Sequence, residues 1–193
     1  MELKPTPMPT KVTLDLPDWI ADFAERFQEP CRTDEERMRL AIDLARANCS
    51  HGTGGPFGAA IFRDGDGAVV SVGVNRVLPL TNSTAHAEML AFMLAQKALG
   101  QHRLDEREHR FILATSAQPC AMCYGATPWA GIHRLLIGAR KEDVEKLTPF
   151  DEGPLPRNWI AGLARRNIEV TRDVLRREAC EVLKAYAEGG SAY

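Results

Sequence analysis

The chain has 193 residues, 45% of them hydrophobic and 26% charged, and its formal net charge is −2. A chain of this size and composition can bury a substantial core. No apolar run approaches the roughly 20 residues that cross a bilayer, and basic residues are interleaved with acidic ones instead of forming the stripe of a nucleic-acid binder. Neither membrane nor nucleic acid is an expected partner, and the cytoplasm is the expected compartment.

Residues 1–15 hold Pro5, Pro7 and Pro9 and no apolar pattern, which predicts a poorly ordered arm. Leu16, Trp19, Ile20, Phe23 and Phe27 recur at helical spacing, so an amphipathic helix is expected over 16–29, ended by Pro30. A second helix is expected from about Asp34 to Asn48, with Met38, Ile42 and Ala45 on one stripe. Thr33 or Asp34 would cap it, and Glu36 is placed for a capping box. Gly52 to Gly58 is rich in glycine but lacks the spacing of a phosphate loop. Close approach of backbone to a flat ligand is the reading that explains so little side chain. Ala59 to Arg63 and Ala68 to Val74 flank Asp64-Gly65-Asp66-Gly67, the pattern of a hairpin.

A helix is expected from Thr84 or Ala85 to about Leu99, and a strand over Phe111 to Thr115. Next come a helix from about Cys120 towards Ala130, which Pro128 should kink or shorten, and a strand over Leu135 to Gly138. Asp143 to Leu147 reads as a short helix, Phe150 to Pro154 as a loop and Asn158 to Arg166 as helical. A short strand, Ile168 to Thr171, and a helix, Val174 to Ala187, precede a tail at 189–193. This alternation predicts one α/β domain over 16–188, with a central sheet of about five strands and helices on both faces.

The chemistry concentrates in His86-Ala87-Glu88 and Pro119-Cys120-Ala121-Met122-Cys123. A CxxC pair serves either as a redox dithiol or as half of a metal site. The upstream His-x-Glu and the preceding proline favour metal. One imidazole and two thiols hold Zn²⁺ and leave a fourth position for water, as a catalytic zinc requires. Cys120 and Cys123 fall in the first turn of a helix, on one side, where the positive helix end favours thiolates. Glu88, two residues from His86, is the candidate proton shuttle: it would take a proton from water and deliver it to a ring nitrogen and to the leaving amine. Cys31, Cys49 and Cys180 have no framework spacing and read as free thiols.

These residues, with Pro56-Phe57-Gly58-Ala59 and Asn75, make the chain resemble the cytidine and deoxycytidylate deaminase superfamily. Thr84 to Ala91, Phe150 to Pro154 and Asn158-Trp159 place the likeness nearest the bacterial guanine deaminases, in a branch that also accepts the amino-triazine ammeline. The resemblance spans about residues 34–185. It implies a three-layer α/β/α sandwich and a homodimer in which C-terminal segments exchange and help to cover the neighbouring site. It also implies zinc on His86, Cys120 and Cys123, with Glu88 as shuttle. Asn75, the N–H of Ala87 and Phe57 would hold the base. Glu152 would meet the N1 and 2-amino donors of guanine, since an ionised carboxylate only accepts, and would assist departure of ammonia; Asp151 is its nearest substitute. Trp129 and Tyr193 are further candidate substrate contacts, Tyr193 by reaching a neighbouring active site. The family's usual glutamate before the Pro-Cys pair is Gln118 here. The implied reaction is deamination of guanine to xanthine, with a free amino-purine or amino-triazine as partner. A nucleoside or pterin deaminase and a non-catalytic zinc-stabilised scaffold stay open as alternatives.

Overall fold

The structure is a computed structural model that describes residues 8–24, 29–106 and 109–189. Its elements run α1 (Trp19–Ala24), α2 (Asp34–Ser50), β1 (Gly58–Arg63), β2 (Val69–Val74), α3 (Ala87–Leu99), β3 (Phe111–Ala117), α4 (Ala121–Ala130), β4 (Arg134–Ala139), α5 (Lys141–Leu147), α6 (Trp159–Ala164), β5 (Glu169–Thr171) and α7 (Arg176–Glu188). A short 3₁₀ turn at Leu104–Glu106 lies in a stretch for which the sequence suggested no element. The first helix starts at Trp19 and not at Leu16, and Phe27 lies outside the described residues.

The five strands form one sheet in the order β2-β1-β3-β4-β5. β1 runs antiparallel to both neighbours, while β3, β4 and β5 are parallel. The alternation of side chains along each strand sorts the core into two halves. Ala60, Phe62, Ile112, Ala114 and Leu136 meet Met38, Ile42 and Ala45 of α2 and Val182 and Leu183 of α7. Ala59, Ile61, Leu113, Leu135 and Ile137 meet Ala87, Ala91 and Phe92 of α3 and Leu163 of α6. The layers are therefore α1, α2, α5 and α7, then the sheet, then α3, α4 and α6. β3 is buried along its whole length, as a central strand covered on both faces must be.

Local chemistry sets the helix ends. Thr33 caps α2 in a complete capping box, with Glu36 N–H donating to Thr33 Oγ1 at 3.1 Å and Thr33 N–H to Glu36 Oε2 at 2.9 Å. Pro128 removes the donor that would have met the carbonyl of Tyr124, and α4 closes three residues later on Gly131 in the left-handed conformation. Gly73 of β2 lets α3 pack directly on the sheet, because a Cβ there would stand 2.0 Å from the carbonyl oxygen of Ala87. Among the described residues no helix is long and apolar enough to cross a membrane.

α5 and α7 are tied by a two-pronged ion pair, Arg176 Nε and Nη2 on Asp143 Oδ2 and Oδ1 at 2.7 and 2.8 Å. Arg176, with the N–H of Arg140, holds the Asp143 carboxyl down at about 2. A depressed carboxyl pKa stabilises the fold above its ordinary value of 3.8, and that contribution is lost as the pH falls through about 2. Asp143→Asn should lower the melting temperature at pH 7 by about 2–4 °C, for a part-exposed pair worth about 1 kcal/mol. The gap from the parent protein should narrow between pH 4 and pH 2 in melts followed by circular dichroism.

Candidate zinc-dependent active site

The N-termini of α3 and α4 converge beside the carboxyl ends of β2 and β3, where open α/β sheets offer a ligand crevice. His86 is the N-cap residue of α3 and Cys120 that of α4. Both have extended backbone and neither caps its helix with its side chain. The imidazole and the thiol turn instead towards each other. Cys120 Sγ and Cys123 Sγ each lie 3.6 Å from His86 Nδ1, and the three candidate ligand atoms all lie within 4.8 Å of one another.

Zinc bonded tetrahedrally at about 2.3 Å to sulfur and about 2.0–2.1 Å to nitrogen separates the two ligand atoms by about 3.6 Å. The donor set thus matches zinc in chemistry and in spacing. The first turn of α4 adds the positive end of a helix dipole to the sulfur pair. Hydrogen bonding to Cys123, with His86 adding to it, brings the Cys120 thiol down to about 4. The same bond and burial push Cys123 up. A metal bound by the two sulfurs would displace their protons. Burial tends to lower the His86 pKa, but Cys120 and Glu88 outweigh it and raise it.

One cavity is walled by Phe57, Asn75, His86, Ala87, Glu88, Ala117, Gln118, Cys120 and Glu152. The structure therefore brings Phe57, Asn75, Ala87, Glu88 and Glu152 to the cysteine–histidine cluster. Glu88 is 6% exposed and Glu152 7%. Burial, the Cys120 charge and Glu88 push the Glu152 carboxyl up to about 8, and burial also raises Glu88. A bound dication would act in the opposite sense on both. Glu152 is not a solvent-facing loop residue: its carbonyl accepts the N–H of Ala121 at 3.0 Å, and Lys141 Nζ donates to the next carbonyl, Gly153 O, at 2.8 Å. Asp151 is exposed and spends its Oδ1 on the N–H of Gly153 at 2.8 Å.

Trp129 is not brought to the cavity of its own chain. It is 77% exposed and lies beside a surface groove with Tyr124, Pro128 and Arg166. Nine residues of helix carry it about 13 Å from Cys120. Tyr193 lies outside the described residues. In the glycine-rich loop, the close approaches that the structure shows are to the protein's own backbone. A Cβ on Gly54, whose φ is +155°, would stand 1.8 Å from Asn75 O.

Three contributors were not read as part of the site in the sequence. Ala117, which ends β3, and Gln118, which follows it, line the cavity. Asn48, wholly buried near the end of α2, donates to Gly55 O and Asn75 O at 2.9 Å each. A signal was present: Asn48 falls three and four residues after Ala45 and Leu44, on the buried stripe, where an amide needs partners.

The model of the cytidine and deoxycytidylate deaminase zinc-binding region matches residues 31–139, more than half of the chain, and the chain belongs to that family. Within it, the chain is similar to guanine deaminases. The structure of guanine deaminase from Nitrosomonas europaea superimposes with a TM-score of 0.87 at 40% identity, over 95% of this chain and 100% of that one. A structure of NE0047 in complex with 2,6-diaminopurine gives 0.89 at 41% identity, over 96% and 98%. Guanine deaminase of Bacillus subtilis is 40% identical over 118 residues, 61% of this chain and 71% of that one.

Cys123→Ala removes a buried ligand without filling the site. The parent protein should retain about one zinc per chain through dialysis against a chelator, and the variant should lose it, as read by elemental analysis.

Proposed function

We propose that this protein is a zinc-dependent aminohydrolase that converts guanine to xanthine and ammonia and also accepts ammeline or related amino-heterocycles. The observation that carries this reading is the pair of buried carboxyls, Glu88 and Glu152, in the same cavity as the His86–Cys120–Cys123 cluster. His86, Cys120 and Cys123 would hold the metal. When bound, zinc lowers the pKa of a water and makes it a nucleophile near neutral pH.

The chain's own residues do the rest. Glu88, buried beside His86, takes a proton from the attacking water and gives it to the ring nitrogen next to C2. It then takes the second proton, from the hydroxyl now on C2, and gives it to the amine as C2=O forms and the C2–N bond breaks, so that water is consumed and ammonia released. Glu152 accepts hydrogen bonds from N1–H and the 2-amino group, a pattern an apolar wall could not select, and assists departure of ammonia. Asn75 addresses a ring nitrogen or carbonyl, the N–H of Ala87 holds the base and Phe57 packs on its ring. Lys141, 2.8 Å from the Gly153 carbonyl, steadies the loop that carries Glu152.

The working unit in this reading is a cytoplasmic homodimer with exchanged C-terminal segments, acting on free small molecules and not on nucleic acid. The exposed Trp129 on the helix that carries both cysteines supports an assembly through that side. Tyr186 and Gly189, at the end of α7, share a cavity of about 620 Å³ with Gly54, which supports a C-terminal segment passing close to the site. In a partner's site Trp129 and Tyr193 would be substrate contacts.

Ammonia release should be measured from guanine, ammeline, guanosine, cytosine, cytidine, adenine and a pterin. Rapid release from guanine with little from the nucleosides is expected. Turnover of another compound and none of guanine would discard this reading of the cavity while keeping the zinc chemistry, and metal binding without any deamination would revive the scaffold reading. Glu88→Gln should abolish turnover with zinc content unchanged; retained turnover would remove Glu88 as the shuttle. Glu152→Gln should lower kcat/KM for guanine by about 10²-fold or more with zinc retained, the scale of losing a positioned polar contact to the reacting group.

A further inference from the structure

A directional chain of hydrogen bonds runs from the first helix to the cavity wall. The indole N–H of Trp19 can only donate, and it donates to Thr53 Oγ1 at 3.0 Å. The single hydroxyl proton of Thr53 has two acceptors in reach, Asn48 Oδ1 at 2.8 Å and Asn48 O at 3.3 Å, and the shorter bond is to Oδ1, since Asn48 O already accepts the N–H of Thr53 at 3.0 Å. With its oxygen fixed as the acceptor, Asn48 gives its two amide hydrogens to Gly55 O and Asn75 O, each at 2.9 Å. Turning this amide over would set its oxygen against two carbonyl oxygens. Gly55 N–H and Val77 N–H in turn donate to Asn75 Oδ1 at 3.3 Å each. Arg76 Nη1 closes the arrangement on Thr53 O at 2.9 Å.

The chain is buried where it meets the cavity wall. Asn48 is 0% exposed and Asn75 3%, and donors aligned in one sense strengthen one another in such surroundings. Trp19 is also stacked on His51, with centroids 5.1 Å apart and planes 8° from parallel, so its indole is held before it donates. The chain fixes both the main-chain carbonyl and, through Gly55, the side-chain oxygen of Asn75.

We propose that Trp19 and Asn48 are positioning residues of the base-binding subsite: acting through Thr53, they set where Asn75 stands, and so the N-terminal helix takes part in holding the substrate. This rests on the reading of Asn75 as a residue that meets the base. Neither Trp19 nor Asn48 lines the cavity, so both act only through the residues they hold.

The test uses the full-length, zinc-loaded protein. Trp19→Phe removes the donor and keeps an aromatic ring over His51, and Asn48→Asp removes both amide donors at constant shape. Trp19→Phe, which loses one part-buried hydrogen bond, should raise KM for guanine up to about tenfold, and Asn48→Asp, which loses two buried ones, by more than that, each with kcat within about twofold and zinc content unchanged. In an Asn75→Ala background both effects should vanish, which a merely structural role would not produce. Effects that persist in that background, or an unchanged KM, overturn the proposal. Should Asn48→Asp not fold, Trp19→Phe decides alone. Amide hydrogen exchange of residues 53–57 and 75–77 keeps the two readings apart. Faster exchange there in Trp19→Phe, in a parent protein that does not turn guanine over, sinks the guanine assignment and supports the hydrogen-bond chain. Unchanged exchange overturns the chain whatever the turnover.

Discussion

The meeting of two helix N-termini is the constraint from which the rest of the site follows. An imidazole on one helix start and two sulfurs on the other stand 3.6 Å apart, and this is possible only because α3 lies directly against β2 at Gly73 and α4 follows at once from the end of β3. Both helices direct their unpaired N–H groups to the same place. The sheet is thus a spacer that sets the separation between two helix starts, and the buried apolar contacts on its faces are what keep that separation fixed.

The cavity gathers its other walls in the same economical way. Phe57 precedes β1 and Asn75 follows β2, and the N–H of Asn75 donates to the carbonyl of Phe57 at 3.0 Å. The hairpin of β1 and β2 therefore delivers two side chains as one unit. The loop after α5 delivers Glu152 from the other side. An aromatic sequence, Phe57–Phe150–Tyr186, with centroids 5.3 and 5.9 Å apart, continues from the cavity through that loop to α7.

Much of the fold was legible because its periodicities are strong. The strand expected over Phe111 to Thr115 opens on the apolar run Phe111 to Ala114 and is covered on both faces, and the alternation of Leu135, Leu136 and Ile137 assigns each to one half of the core. The metal cluster was legible because sulfur and imidazole at such spacings have few other uses. What stayed hidden depended on distance across the fold. Trp129 sits on the helix of the cysteines, yet helix pitch takes it away from them. Glu152 is named only through the family resemblance: its loop's own residues do not show that the N–H of Ala121 holds its backbone at the cavity. The glycines of residues 52–58 announce close packing but not its object, which is the chain's own Asn75 for Gly54 and the backbone of α2 for Gly58.

The bond between Ala121 and Glu152 is made by main-chain atoms, an N–H and a carbonyl that every residue other than proline can supply at the donor and any residue at the acceptor. The loop is therefore moored independently of the side chain it displays. Position 152 can change its chemistry over generations while the mooring and the cysteine helix stay as they are. Under the role proposed for Glu152, a new preference among heterocycles would be reachable by single substitutions that leave the His86–Cys120–Cys123 cluster as it is.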